Sequence, residues 1–223
     1  MTQTVHNADL QLKASIIRTL EWAPDINATH IGVSVTDGAV IVSGEVLAYA
    51  EKTAAIRAVL TVHGVTSLSD EILVKHSWGA RADADISRDV GAAITASALV
   101  PPGTVKAAVE DHWITLTGEV HWNFQREAAD RVAGDIAGVA GVHNHISLKP
   151  NLTFVAQDAK ANVKSALVRS ALTDAGNIEV TTSGTELVLS GTVHSWSEFE
   201  AAATAAWATP GVTFVSNDLT VVP

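Results

Sequence analysis

The chain has 223 residues, 47% of them hydrophobic, and carries a net charge of −10 without any cysteine. This hydrophobic content is typical of a folded protein and excludes extensive disorder. The acidic balance disfavours nucleic-acid binding, which needs a cationic surface, and also electrostatic adhesion to anionic lipid. The lack of cysteine excludes disulfides and thiol chemistry.

The amino terminus and the hydropathy of the chain predict where the protein resides. Residues 1–7 have neither the charged nor the apolar region of a signal peptide. No apolar run approaches the roughly 18 residues that a membrane-spanning helix requires. We therefore expect a soluble, cytoplasmic protein without a transmembrane segment.

One short pattern, Ser or Thr followed by Gly, any residue and Val, occurs three times along the chain. Its glycines lie 74 and 73 residues apart, and a Gly-Val pair begins 20 residues after each of them. A fixed register held three times indicates a tandem repeat. The six glycines of the pattern, which we expect to be structural, are Gly44, Gly64, Gly118, Gly138, Gly191 and Gly211.

The repeat divides the chain into three predicted modules, at residues 7–75, 81–149 and 155–222. Domains of about 70 residues bury little surface and are marginally stable alone. The linkers between the modules are only a few residues long. We therefore expect a compact array in which packing between modules contributes to stability.

Each copy begins with a predicted amphipathic helix and continues with a predicted hairpin. In the first copy, apolar residues recur every fourth position, as on one face of a helix. Alternating apolar residues then flank Asp37-Gly38, which is typical of a two-residue hairpin turn. The predicted helix faces of the three copies are Leu12, Ile16 and Leu20, then Ile86, Val90 and Ile94, and then Ala159, Val163 and Leu167.

A second helix and a third strand complete each copy. An Ala-Ala pair recurs in the second helix, at Ala54, Ala128 and Ala201, and allows that helix to approach the sheet closely. The glycine of Gly-Val is expected to end this helix. The sequence thus predicts an α+β fold of three tandem α-β-β-α-β modules, each with two helices packed on a three-stranded mixed sheet.

This order of elements, together with the Gly-x-Val and Gly-Val pairs at fixed separation, resembles the BON domain family (bacterial OsmY and nodulation domain). The resemblance covers all three copies. The array as a whole resembles bacterial triple-BON proteins that are osmotically inducible or transport-associated. It implies a non-enzymatic module that binds phospholipid or a membrane surface, often in the cell envelope. A relative that binds potassium implies ion binding as a further role.

No catalytic motif stands out in the residues themselves. Phosphate-binding loops, the Gly-x-Ser-x-Gly elbow and the His-Glu-x-x-His helix are absent from the sequence. The strongest candidate for a metal site is His143 with His145, since residues two apart on a strand share a face. Zinc needs further ligands, which His112 or His121 would supply if the hairpin lay beside them. A pair of solvated surface histidines is the simpler interpretation.

Six tryptophans are many for a chain with 5% aromatic residues. A large ring can be buried between modules or can insert at a lipid interface. We expect burial for most of them. Trp22, Trp78 and Trp122 are the candidates for contact with lipid or a partner.

These observations predict a non-catalytic, stress-associated binding or scaffold protein of three BON modules, without a cofactor. Its ligand would be a phospholipid or a membrane surface. One alternative is a cytoplasmic sensor of potassium or another metal, and another is a protein-interaction adaptor that homo-oligomerises through exposed strand edges. The cytoplasm is the expected location, and the cell envelope is the alternative that the family implies.

Overall fold

The structure is a computed structural model, which describes the backbone of residues 2–75, 81–149, 165 and 177–222 and their side chains from Asn7 onward. Helices and strands follow one another in the order that the repeat predicts. The predicted helix of the third copy, with Ala159, Val163 and Leu167, lies outside the described residues.

The first module contains both helices and all three strands of the repeat. Its elements are α1 (Thr2–Trp22), β1 (Ile31–Thr36), β2 (Ala39–Val46), α2 (Tyr49–Leu60) and β3 (Ser67–Val74). A short 3₁₀ turn precedes β1.

The second module repeats this order. Its elements are α3 (Asp83–Ala96), β4 (Val105–Glu110), β5 (Trp113–Val120), α4 (Asn123–Gly134) and β6 (Gly141–Leu148).

The third module is described from its hairpin onward. Its elements are β7 (Ile178–Ser183), β8 (Glu186–Val193), α5 (Trp196–Trp207) and β9 (Phe214–Val221). The predicted α+β fold of three repeated modules, each with a three-stranded mixed sheet, is confirmed.

Each sheet has the same topology. The middle strand pairs antiparallel with the strand before it and parallel with the strand after it. The parallel pair needs a crossover connection, and α2, α4 and α5 provide it. The registers coincide, since the repeated glycines Gly44, Gly118 and Gly191 lie opposite Ile72, Ile146 and Leu219.

A separate hydrophobic core fills each module. In the first two modules the predicted apolar face of the first helix contributes to it, because Ile16, Ile86 and Val90 have no exposed surface. The second alanine of each Ala-Ala pair is also fully buried, at Ala55, Ala129 and Ala202. A side chain this small lets the crossover helix lie close to its sheet, as the repeat predicts.

Two-residue turns close the hairpins where the alternation predicts them. Asp37 and Gly38 have positive φ angles of 51° and 77°, as a primed hairpin turn requires. In the second module Asp111 and His112 adopt the same conformation, at 49° and 66°. His112 therefore takes up a left-handed backbone conformation where the first copy has glycine.

A carboxylate from the first helix holds this turn in place. Asp9 accepts hydrogen bonds from the backbone N–H groups of Asp37 and Gly38, at 3.0 and 3.1 Å. Asp83 does the same for the second hairpin, at 2.9 and 3.1 Å. The third copy has Ala156 at the equivalent position in the sequence, so this carboxylate is not part of every copy.

The glycines of the first repeated pattern lie against the backbone of the preceding strand. A Cβ atom on Gly44, Gly118 or Gly191 would stand 2.0 Å from the carbonyl oxygen of the residue that precedes the hairpin strand. All three glycines also have φ angles between 121° and 138°. Any side chain at these positions would force the two strands apart.

The glycines of the Gly-Val pairs do not end the second helix, so that prediction was wrong. The helix α2 ends at Leu60, whereas Gly64 lies in the turn that leads to β3. Gly138 and Gly211 occupy the same place in the other modules. The three φ angles of 97°, 89° and 83° show that the turn itself requires glycine.

Candidate functional site

The tryptophans predicted to contact lipid or a partner lie in different surroundings. Trp22, the last residue of α1, is 86% exposed. Trp122 is half-buried immediately before α4. Trp78 lies outside the described residues. Trp22 and Trp122 therefore belong to different surfaces of the molecule.

Trp22 lies in a shallow depression on the surface of α1. Ser15, Arg18, Thr19 and Ala23 form the rest of its lining. Arg18 is one helical turn before Trp22, and its guanidinium donates to the backbone carbonyl of Ala14 and to the hydroxyl of Ser15. The end of the helix thus combines an exposed indole with a positive charge.

His143 and His145 lie exposed on one face of β6, as the strand periodicity predicts. Their ring centroids are 6.3 Å apart, and the ring of Trp113 stacks on His143 at 4.7 Å. Across the described residues, no three His, Cys, Asp or Glu side chains form a group that could hold a metal ion. Neither His112 nor His121 therefore joins the pair.

His112 is engaged elsewhere. Its Nε2 lies 3.1 Å from the carbonyl oxygen of Arg81, and its Nδ1 lies 3.7 Å from the carboxylate of Asp83. These contacts fix the side chain against the start of α3.

Each crossover helix begins at a junction with the next module. The first residues of these helices, which are equivalent in the repeat, are Tyr49 in α2, Asn123 in α4 and Trp196 in α5. The first module contacts the second, the second contacts the third, and the third contacts the first. The described parts of the three modules therefore form a closed ring, which buries residues that the isolated modules would expose.

At the junction of modules one and two, Tyr49 packs against the core of the second module. A Cβ atom on Gly134 would lie 3.2 Å from Cδ1 and Cε1 of the tyrosine ring. The lack of a side chain at Gly134 therefore makes room for Tyr49.

At the junction of modules three and one, Trp196 packs against the core of the first module. Its ring also lies 4.8 Å from the ring of Phe199, which follows it in α5. The Nε1 atom of Trp196 is buried and has no hydrogen-bond partner among the described residues.

At the junction of modules two and three, the guanidinium of Arg126 lies 4.6 Å from the centre of the Trp207 ring. This cation–π contact joins α4 to α5. Asn123 occupies the position that is aromatic at the other two junctions, and it is 5% exposed. Its Nδ2 donates to the carboxylate of Glu127 at 2.6 Å.

This junction contains a cavity of about 370 Å³, which we call the junction cavity. Its volume falls in the range of small-molecule sites. Three aromatic rings and three polar side chains form most of its lining, namely Trp122, Phe124, Trp207, Asn123, Glu127 and Thr204.

Burial at the junctions shifts the pKa values of several groups. Burial raises the pKa of the Tyr49 hydroxyl, and the nearby carboxylate of Asp130 raises it further. Burial also raises the pKa of Asp130, although a hydrogen bond from Asn144 and the charge of Arg57 oppose this shift. The pKa of the Arg126 guanidinium is lowered by burial. These groups are therefore packed where ionisation is costly.

Sequence reasoning did not find the junction cavity. The signal in the sequence was the alignment of the three copies, in which Asn123 is equivalent to the aromatic residues Tyr49 and Trp196. An aromatic position that becomes a small polar residue in one copy indicates a change in packing. Without the ring arrangement, nothing in the sequence connected that position to Trp207, which is 84 residues away.

The fold and these junctions define a protein of three repeated α+β modules that pack through their crossover helices. The family profile of the BON domain matches residues 8–76, 82–150 and 156–223. Nearly all of the chain is covered by these matches, and the chain therefore belongs to the BON domain family.

Among curated proteins, the chain is similar to osmotically-inducible protein Y of Escherichia coli (strain K12). The two are 28% identical over 146 residues, which are 63% of this chain and 73% of that protein. No helix in the described part of the chain is both long and apolar enough to cross a membrane.

The chain is also similar to two solved structures of CdsD, a structural protein of the type III secretion system of Chlamydia trachomatis. The C-terminal domain of CdsD is 14% identical, with a TM-score of 0.28 and coverage of 94% of this chain and 96% of that one. The second CdsD structure is 15% identical, with a TM-score of 0.28 and coverage of 96% and 93%.

Proposed function

We propose that the protein is a non-catalytic, stress-associated binding protein that docks on a phospholipid surface through the end of α1. The observation that carries the proposal is the 86% exposure of Trp22. The similarity to osmotically-inducible protein Y supports the association with stress. Membership of the BON family supports a binding role without catalysis.

An exposed indole next to a guanidinium suits the boundary between lipid and water. Tryptophan is enriched at that boundary because its ring is largely apolar and its N–H is polar. Arg18, one turn away in the same depression, is positioned to reach a lipid phosphate. Burial of the ring in a headgroup region would remove the apolar surface of Trp22 from water.

The net negative charge of the chain favours zwitterionic over anionic phospholipids. A net charge of −10 opposes approach to an anionic membrane, so we propose a zwitterionic surface such as phosphatidylcholine. The binding would then depend on insertion of the ring more than on long-range attraction. It should change little with salt, since salt mainly screens interactions between exposed charges.

Vesicle flotation tests this proposal. The protein should float with phosphatidylcholine vesicles at both low and high salt, and Trp22→Ala should remove most of that binding. Phe214→Ala is a matched control, since Phe214 is also an exposed aromatic residue but lies in β9 of the third module. Failure to float with either zwitterionic or anionic vesicles would rule out the lipid-binding proposal.

The exposed strand edges support a second candidate, a homo-oligomerising adaptor. In each sheet the middle strand lies between its two partners, so the strands on either side form the edges. Edge strands present unpaired backbone groups that can add a strand from another chain. Light scattering at two protein concentrations tests this candidate, and a mass equal to one chain at both concentrations rejects it.

A further inference from the structure

We propose that the junction cavity is a binding site for a small protonated organic amine with an apolar body. The cavity lies between the start of α4 and the end of α5, away from α1. The proposal therefore goes beyond lipid docking, and each can fail without the other. It rests on the comparison of three equivalent junctions and on the chemistry of the lining.

The other two junctions show what closes such a space. At the junction of modules one and two, Tyr49 lies over Gly134. At the junction of modules three and one, Trp196 packs against the core of the first module. At the junction of modules two and three the equivalent residue is Asn123, which is too short to fill the gap. The residue of α5 that lines the same space is Trp207. The cavity therefore coincides with the replacement of an aromatic residue by asparagine at this junction.

The lining of the cavity also differs from its equivalents. Trp122 and Phe124 flank Asn123, whereas Ala48 and Ala50 flank Tyr49 in the first module. Phe124 is 52% exposed, so an aromatic ring at the cavity edge remains in contact with water. Aromatic faces attract ammonium groups electrostatically and also cover apolar carbon. Two aromatic residues in the cavity lining, where the first copy has alanine, favour such a ligand.

The polar groups of the cavity select for a hydrogen-bond donor that carries positive charge. Glu127 supplies a carboxylate at the cavity wall. The buried Oδ1 atom of Asn123 has no hydrogen-bond partner in the described part of the chain. A buried acceptor without a partner is costly, and an ammonium that reached it would offset this cost. Both groups are acceptors, which a protonated amine satisfies and a carboxylate does not.

Arg126 does not reverse this preference. Its guanidinium lies over the Trp207 ring, where the carboxylates of Glu127 and Asp130 both interact with it. The carboxylate of Asp130 also interacts with Arg57. Glu127 is therefore the acidic group of the cavity lining that a ligand ammonium would meet.

Calorimetric titration of the whole protein with 2-phenylethylamine tests the proposal. This amine should bind saturably, and its neutral counterpart 2-phenylethanol should bind about tenfold more weakly or not at all, because it lacks the charge. The anion 3-phenylpropionate should show no binding. Saturable binding of the alcohol or the anion as tight as that of the amine would overturn the assignment of ligand class.

Two variants locate the binding in the cavity. Asn123→Tyr introduces the residue type found at Tyr49 and should abolish binding by filling the cavity. Glu127→Gln is an exposed, nearly isosteric change that should preserve folding and weaken binding at least about fivefold. Phe214→Ala, a distant exposed aromatic of the third module, should leave the affinity unchanged.

Three results would overturn the proposal. The first is the absence of saturable binding of 2-phenylethylamine up to about 10 mM, a concentration at which even weak sites fill. The second is unchanged affinity in Glu127→Gln. The third is unchanged affinity in an Asn123→Tyr protein whose circular dichroism matches that of the parent.

Discussion

The ring of Tyr49 lies in the space that a side chain on Gly134 would occupy, with Cδ1 3.2 Å from the position of the missing Cβ. The two residues belong to different modules, α2 of the first and α4 of the second. The equivalent of Gly134 in the other modules is Leu60 or Trp207. Glycine therefore occurs at this position in the module that Tyr49 approaches.

Replacing Tyr49 with alanine should weaken the coupling between the first two modules. The ring is half-buried, so we expect the free energy of unfolding to fall by about 2 kcal/mol, roughly half the cost for a fully buried aromatic. Urea denaturation followed by circular dichroism would measure the change. A broader or two-step transition should accompany it, because the modules would unfold less cooperatively.

Trp22→Ala is the matched control for this experiment, because Trp22 is aromatic but almost fully exposed. Its effect on stability should lie within about 0.5 kcal/mol of zero. Equal destabilisation by both substitutions would show that Tyr49 contributes no more than a surface ring.

Replacement of Gly118 by alanine should destabilise the second module strongly. The new Cβ would meet the carbonyl oxygen of Thr104 at 2.0 Å, and the backbone at Gly118 has a φ of 138°. Because the obstructing atom belongs to the backbone, the strands must move apart. We expect the free energy of unfolding to fall by more than about 2 kcal/mol. Thermal and urea denaturation would both show it.

Gly91→Ala provides a control with the same chemical change and the opposite expected sign. Gly91 lies in α3, and an added Cβ there meets nothing within 4 Å. Alanine should stabilise the helix by about 0.5–1 kcal/mol, since it restricts the unfolded chain more than glycine does. A stable Gly118→Ala protein would contradict the structural role that the sequence repeat predicts for this glycine.

The fold followed from the sequence because its determinants are local and repeated. The spacing of Gly44 and Gly118 reflects a strand crossing that permits no side chain, and the Asp37-Gly38 turn reflects positive φ angles. Such constraints act over a few neighbouring residues and therefore leave a pattern in the sequence. Three copies of the pattern made it recognisable.

The long-range contacts left no such pattern. The carboxylates of Asp9 and Asp83 bind backbone N–H groups of hairpin turns 28 and 29 residues away. The junction cavity depends on Asn123 and Trp207, which the ring of modules brings together. Helix periodicity cannot predict how one module is oriented on the next, so these residues were not recognised as a site.

The pair His143 and His145 remains a predicted metal site. Two exposed imidazoles on one strand face should bind Zn²⁺ weakly, with solvent completing the coordination. In a thermal-shift series with K⁺, Ca²⁺ and Zn²⁺, we expect only Zn²⁺ to raise the melting temperature, and only at a large excess over protein. His145→Ala should remove the shift, whereas His121→Ala, at another exposed histidine, should retain it.

Two outcomes would contradict the metal prediction for this pair. A Zn²⁺ shift that survives His145→Ala would place the ion elsewhere. No shift with Zn²⁺ would leave His143 and His145 as solvated surface residues. A shift with K⁺ in every variant would instead favour the alternative of a cation sensor that binds through backbone carbonyls.

The half-buried carboxyl of Asp130 should make stability depend on pH. Burial raises its pKa in the folded protein above the ordinary value of 3.8, so the folded state binds the proton more tightly than the unfolded state. The resulting contribution to stability is fully present below the unfolded pKa and is lost as the pH rises through the folded pKa. Ionised Asp130 therefore weakens the fold at neutral pH.

Asp130→Asn should remove this penalty, because the amide carries no charge and can still accept a hydrogen bond from Asn144. At pH 7 the variant should have a higher free energy of unfolding than the parent, and the difference should shrink as the pH falls below the folded pKa. Urea denaturation between pH 4 and pH 8 would measure both. A variant less stable than the parent at pH 7 would mean that the attraction between Asp130 and Arg57 outweighs the cost of burial.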